Sequence, residues 1–223
     1  MLCVSNPHLG TPYRFSPTED DLKHVTKRVA DYVWHEMPDD GGWDYGTNLN
    51  YLKDLCDYWV REFNWWDHQA KLDRFSHFRT HVDGIDTHYI FEKGSGPNPT
   101  PLLISHGWPG SICEFLDIIE PLAHPERFGG SVEQAFDVIA PSLPGFGFSS
   151  RPARPMGPRA MAGHLNKLMT QHLGYTTYVA QGGDWGGAIC SWLGFDHAQY
   201  CKALHINVLT MRHGLGPQTM EEQ

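Results

Sequence analysis

Between two short apolar runs the chain reads VAQGGDWGGAIC (179–190), and within it Gly182-x-Asp184-x-Gly186 has the spacing of a G-x-S-x-G nucleophile elbow with aspartate in the serine position. Small residues two before and two after the central one let a strand turn sharply into a helix, so the central side chain projects at the sheet edge. The competing reading makes Asp184 a cap on the following helix, a common use of aspartate. Glycines on both sides are more than a cap requires, which favours the nucleophile. A carboxylate with an ordinary pKa near ~3.9 is ionised at neutral pH and, unlike serine, needs no base before it attacks. Attack on an ester or amide carbonyl would give an anhydride with little gained. The electrophile expected is therefore an sp³ carbon bearing a strained or good leaving group, as in epoxides and alkyl halides. The resulting ester must then be hydrolysed by an activated water, with donors ready for the oxyanion.

HGWPGS (106–111) directly follows the apolar run LLIS and precedes a helix expected near Ile112. It can be read as a Pro-Gly turn with Trp108 in packing. Beside an elbow it gains a second meaning, because a loop after an early strand supplies one oxyanion amide and the residue after the nucleophile supplies the other. Those amides would be Trp108 and Trp185.

Positioning such loops requires a scaffold, and the chain spells one out. Ser16-Pro17-Thr18-Glu19 reads as a capping box with proline at the first helical position, followed by Leu22, Val25, Val29 and Val33 at helical spacing. This predicts a helix from about residue 17 to before Pro38. Leu49, Leu52, Leu55 or Cys56, Trp59 and Phe63 mark a second helix, and FNWWDHQAKLDRF a short third one. The tryptophans at 34, 59, 65 and 66 are assigned to packing in this arm. From Phe78 the period changes to two around Asp83-Gly84, which predicts a β-hairpin. After the 94–99 linker, strands are expected at 101–105, 136–142, 176–181 and 202–209, with helices at 112–122, 159–173 and 186–197 between them. Alternation of this kind implies βαβ units and a mostly parallel sheet flanked by helices, an α/β class. Ligands in such sheets bind beyond the carboxyl ends of the strands, which selects the loops 106–111, 143–150 and 182–187.

Composition excludes other classes. The formal net charge is −9 with 17 basic residues scattered, so neither nucleic acid nor an anionic membrane is an expected partner. No segment approaches the roughly 20 apolar residues of a membrane span. The five cysteines Cys3, Cys56, Cys113, Cys190 and Cys201 are scattered without a C-x-x-C pair, which suits reduced thiols and makes cytoplasm the default location. PGFGFSS lacks the third glycine of a dinucleotide fingerprint, and His77 and His81 lack the glutamate of a zinc motif. No metal and no cofactor is expected, and the oligomeric state stays open.

LISHGWPGSICEFLDIIEPL, VIAPSLPGFGFSS, GYTTYVAQGGDWGGAI and the arm ending FNWWDHQAKLDRFSHFRTHVDGIDTHYIF together resemble the epoxide hydrolases of the α/β-hydrolase fold that carry an N-terminal meander, over roughly residues 15–213. The resemblance implies hydrolysis of small-molecule epoxides by water to vicinal diols, with Asp184 as nucleophile and the Trp108 and Trp185 amides as oxyanion hole. It also implies that His106, Gly107, Pro109 and Phe146 line the substrate pocket. It divides the chain into a meander with the first hairpin (1–92), the front of the hydrolase core (93–213) and the start of a cap connection (214–223). Members of this fold place the catalytic acid, the histidine and the cap tyrosines well downstream of the nucleophile, whereas this sequence stops at Gln223. His197, His205 and His213 are expected to be structural, and the chain to be the front part of an enzyme. A haloalkane dehalogenase-like hydrolase, which also uses an aspartate elbow, and a non-catalytic hydrolase-like interaction protein are the competing expectations.

Overall fold

A computed structural model describes residues 8–36 and 42–208. Leu209, His213 and the expected cap connection at 214–223 lie outside these residues. The chain forms two compact units, one from Phe15–Leu72 and the other from Met1–Arg14 with Asp73–Gln223.

The smaller unit holds α1 (Glu19–Ala30), α2 (Leu49–Arg61) and α3 (Trp65–Leu72). The capping box forms, but two residues later than expected. Thr18 accepts from the Asp21 amide at 3.1 Å while the Asp21 carboxylate accepts from the Thr18 amide at 2.9 Å. Thr18-x-x-Asp21 is an equally legible box, and its acid closes both bonds. α1 also ends at Ala30 rather than near Pro38. The run Tyr32-Val33-Trp34 is β-branched and aromatic, poor helix material, and it leaves the helix with Tyr32 and Trp34 rings packed 4.9 Å apart. Asn48 caps α2 through the Tyr51 amide. Trp65 packs edge-on against Phe15 at 5.7 Å.

In the larger unit a seven-stranded mixed sheet has the order β1-β2-β3-β5-β4-β6-β7. Its strands are β1 (Thr11–Pro12), β2 (Ser76–Val82), β3 (Ile85–Glu92), β4 (Thr100–Ser105), β5 (Phe136–Pro141), β6 (Tyr178–Gly182) and β7 (Cys201–Ile206). The β2–β3 hairpin turns at Asp83-Gly84, both with positive φ (47° and 81°), as a type I′ turn demands. β3 then pairs antiparallel with β5, so the hairpin is part of the sheet. β4, β5, β6 and β7 pair in parallel.

α4 (Ile119–Ala123), α5 (Pro158–Lys167) and α6 (Trp185–Asp196) flank the sheet. The helix expected at 112–122 is instead a 3-10 turn, Ile112–Phe115, and the short α4. Pro121 explains the break, since it has no amide to donate and its ring crowds the carbonyl four residues back. Ser111 caps the 3-10 turn through the Cys113 amide. α5 begins with Pro158 and runs into a π-helical turn, Leu168–His172. α5, the π-helical turn and α6 bury Leu165, Leu168, Ile189 and Leu193 against Leu103, Ile139 and Ala180 of the sheet. The other face is less covered than a fully flanked sheet would be. There Leu102, Ile104, Val179 and Ala203 line an open groove of about 720 Å³. No helix among the described residues is long and apolar enough to cross a membrane.

Chain order reverses about β4: the next strand pairs on one side of it and β6 on the other. At such a switch point the loops after neighbouring strands diverge and leave a crevice. Ser105 pairs with Gly182 at the carboxyl ends of β4 and β6, which sets the 106–111 loop directly beside the elbow.

Candidate active site

Asp184 sits where β6 turns into α6, with φ 49° and ψ −126°, a conformation that residues with a Cβ rarely adopt. It occupies the N-cap position of α6, yet its side chain makes no capping hydrogen bond. The carboxylate is exposed and turned to the loop after β4, where Oδ1 accepts from the Trp108 amide at 2.9 Å. Of the two readings of the sequence, the geometry disfavours the cap.

The glycines show why the turn needs its spacing. A Cβ on Gly182 would collide with the Gly186 carbonyl, and one on Gly186 with the Ser105 carbonyl. A Cβ on Gly107 would collide with the Asp184 carboxylate itself. The backbone of β6, the elbow and the loop after β4 are thus in direct contact, which is what carries the Trp108 amide to the carboxylate. The amide bonds of Trp108 and Trp185 hold the Asp184 carboxyl below its ordinary range. Its reactivity should therefore stay flat as pH falls from 8 to 5, measured as the rate of covalent labelling. A rate that tracks a group titrating in that interval would contradict this.

Trp108 and Trp185 are 66% and 42% exposed, and Pro109 follows Trp108 through a cis peptide bond. Phe146 is partly buried and meets the His106 ring at 5.5 Å, 66° between planes. His106 is buried, 1% exposed. Its Nδ1 pairs with the Gly107 carbonyl at 2.9 Å and its Nε2 accepts from the Leu143 amide at 3.1 Å. That arrangement needs a neutral ring, and burial lowers the His106 pKa accordingly. His106 thereby ties the loop after β4 to the loop after β5.

Sequence reasoning missed a buried polar chain behind these loops. His88 on β3 pairs through Nε2 with His77 Nδ1 at 2.9 Å and through Nδ1 with Ser142 Oγ at 2.9 Å. The signal is adjacency, since Thr87 and His88 stand directly before the apolar run Tyr89-Ile90-Phe91, and both are fully buried. Thr87 Oγ1 pairs with His164 Nε2 at 2.8 Å. Burial pushes the His88 pKa down to about 3 and that of His164 to about 4. These rings stay neutral in the folded chain while the unfolded chain takes up protons near ~6.5. The stability they provide is complete above that pH and declines below it, by up to about 1.4 kcal/mol per pH unit for each ring. Denaturant midpoints measured between pH 7 and 4.5 should fall steadily. A flat profile would contradict the buried neutral assignment.

His197 Nε2 lies near Gly163 on α5, and His205 lines the open groove on β7. The backbone bonds to Asp184 account for its hydrogen bonding among the described residues, and none comes from a histidine. A separate serine–histidine–glutamate chain joins Ser95 Oγ, His124 Nδ1 (2.6 Å), His124 Nε2 and Glu92 Oε1 (3.1 Å). It lies toward the amino end of β5, away from the elbow. Its single hydroxyl proton faces a second acceptor, Glu126, at 2.9 Å, and the Ser95 amide is bonded to Ala123. Nothing there receives an oxyanion, so the network is read as structural. No group of three or more acidic, histidine or cysteine residues among the described residues could hold a metal.

The sheet order, the elbow between β6 and α6, and the facing amide loop define a class, and comparison with known proteins agrees with it. Residues 100–221 match the family model described as "alpha/beta hydrolase fold", and the chain belongs to that family. Residues 10–115 match "Epoxide hydrolase N terminus". The chain is 36% identical over 197 residues to a putative epoxide hydrolase of Stigmatella aurantiaca, covering 88% of this chain and 45% of that protein. It is 34% identical to Epoxide hydrolase 1 of Sus scrofa over 88% of this chain and 44% of that protein. Among solved structures, the Aspergillus niger epoxide hydrolase superposes with a TM-score of 0.82 at 27% identity, covering 100% of this chain and 59% of that one. The juvenile hormone epoxide hydrolase of the silkworm Bombyx mori gives 0.78 at 29% identity, covering 91% and 48%. The chain thus spans about half the length of the proteins it matches.

Proposed function

We propose that this chain carries the nucleophilic half-site of an epoxide hydrolase. The observation that carries the reading is the exposed, uncapped Asp184 carboxylate with one oxygen held by the Trp108 amide. The free oxygen, Oδ2, attacks a ring carbon of the epoxide. The carbon–oxygen bond breaks, and the alkoxide released takes a proton to become the first hydroxyl of the product. Oδ1 becomes the ester carbonyl oxygen and remains on the Trp108 amide, with the Trp185 amide as the second donor. Water activated by a general base then adds to the carbonyl carbon, those amides receive the negative charge, and collapse releases a vicinal diol and restores the carboxylate. His106, with both ring nitrogens engaged inside the fold, holds the loop rather than serving as that base. Gly107, Pro109 and Phe146 border the approach to the carboxylate.

Presenting a terminal epoxide and the alkyl chloride of the same carbon skeleton side by side tests the reading. Covalent capture or consumption of the epoxide alone is expected. Capture of the chloride alone would transfer the site to dehalogenation, a reading that no observation here favours.

Trp108→Pro should remove one donor, with a loss of about 2.7 to 4 kcal/mol in transition-state stabilisation, whereas Trp108→Phe keeps the amide and should lose far less. Equal losses in the two variants, read as ester-formation rates, would mean that Trp108 acts through its ring.

A further inference from the structure

Ser142, the residue directly after β5, is the hub on which the 143–150 loop closes. Its amide donates to the His88 carbonyl at 2.9 Å, and its carbonyl accepts from Ser149 Oγ at 2.7 Å. Its Oγ meets His88 Nδ1 at 2.9 Å and receives the Phe148 amide at 3.5 Å. Gly147, at φ +48°, brings its backbone so near Ser142 Oγ that an added Cβ would lie 2.8 Å away. His88 is itself boxed by the Tyr13 ring (5.3 Å) and the Phe148 ring (5.0 Å, 90°), with Arg79 reaching the Phe148 carbonyl at 2.6 Å. One residue along, the Leu143 amide donates to His106, which precedes the Gly107-Trp108 segment touching Asp184.

We propose that the chain Ser142–His88–His77, buried at Ser142 and His88, is the positioning device of the candidate site, fixing the 143–150 loop and, through Leu143 and His106, the Trp108 amide against Asp184. His88 and Ser142 are thus positioning residues, acting on the site without touching the substrate. The inference rests on the reading of Asp184 as nucleophile for its meaning, and on hydrogen-bond geometry for its content. A neutral imidazole suits the role because it can donate at one nitrogen while accepting at the other, so it can be bonded on both sides at once. Such a chain is worth most where water is excluded, and each break leaves a buried polar group unmet.

Amide hydrogen exchange and the Asp184 carboxyl titration, both read by NMR on the full chain, test this without turnover. Ser142→Ala and His88→Phe, the latter keeping the aromatic packing, should each lower protection of the Leu143 and Trp108 amides by about tenfold or more. A tenfold loss corresponds to about 1.4 kcal/mol. The Ala180 amide in β6 should stay within about twofold of its original protection, and the Asp184 pKa should climb back toward the ordinary carboxylate range. His88→Asn, whose amide reaches the Nδ1 position, should restore most of the protection. Unchanged Leu143 and Trp108 amides would overturn the proposal. So would an equal loss of protection throughout the sheet with no rescue by asparagine, because His88 would then be ordinary core. If the exchange pattern holds while the unsubstituted chain never reacts with epoxide, the functional reading fails and the positioning chain stands.

Discussion

Asp184→Asn should lose covalent reaction with epoxides by about 10⁴-fold or more, while the chain stays folded. The magnitude is that of removing a nucleophile from a site whose other parts persist. Asparagine is nearly isosteric, tolerates positive φ better than most residues, and can still accept from the Trp108 amide through its side-chain oxygen. What it lacks is the anionic second oxygen. Because the Asp184 side chain makes no capping hydrogen bond to α6 and asparagine keeps the bond from the Trp108 amide, its replacement should cost about 1 kcal/mol or less. A large loss of stability in Asp184→Asn would restore the capping role set aside above. Denaturant unfolding and labelling rates on the same preparation separate the two outcomes.

Gly186→Ala should destabilise the chain by about 3 kcal/mol or more, beyond the range of most single substitutions. The added Cβ would run into the Ser105 carbonyl at the end of β4 and close to that of His106, and both are backbone atoms that cannot rotate away. Relief requires β4 and α6 to separate, which would also withdraw the Trp108 amide from Asp184. Gly157→Ala is the control. Gly157 has no atom within 4 Å of its added Cβ and an ordinary negative φ of −86°, so its effect should stay within about 1 kcal/mol. If denaturant midpoints place the two variants together, close backbone packing is not what fixes the elbow.

The parts of the fold that were legible in the sequence depend on local pattern. The continuous apolar runs of β4, β5 and β6 and the turn residues Asp83-Gly84 gave strands and hairpin within a residue or two. The elbow was legible because clashes between backbone segments restrict Gly182 and Gly186 to one residue type. Helix ends were less so. Two capping boxes overlap at 16–21 with only their side-chain bonds to choose between them, and Pro121 in the first turn of α4 stops the helix from extending back to Ile112 although the apolar spacing reads as continuous. The parts that escaped depend on partners far apart in the chain. His88 and Ser142 lie 54 residues apart and His106 and Leu143 lie 37 apart, so no local window pairs them. The motif therefore shows His106 beside the elbow but not the Leu143 amide to which it is bonded.

Peptide mapping after incubation with a reactive aryl epoxide tests the central claim most directly. An alkyl ester on a carboxylate is cleaved by hydroxylamine, whereas an alkylated thiol, such as one at the exposed Cys113, is not. The account predicts a hydroxylamine-labile adduct confined to the peptide containing Asp184, absent from Asp184→Asn and slowed in Trp108→Pro. Consumption of the epoxide with Asp184 unmodified throughout, or adducts found only at hydroxylamine-stable positions, would contradict it.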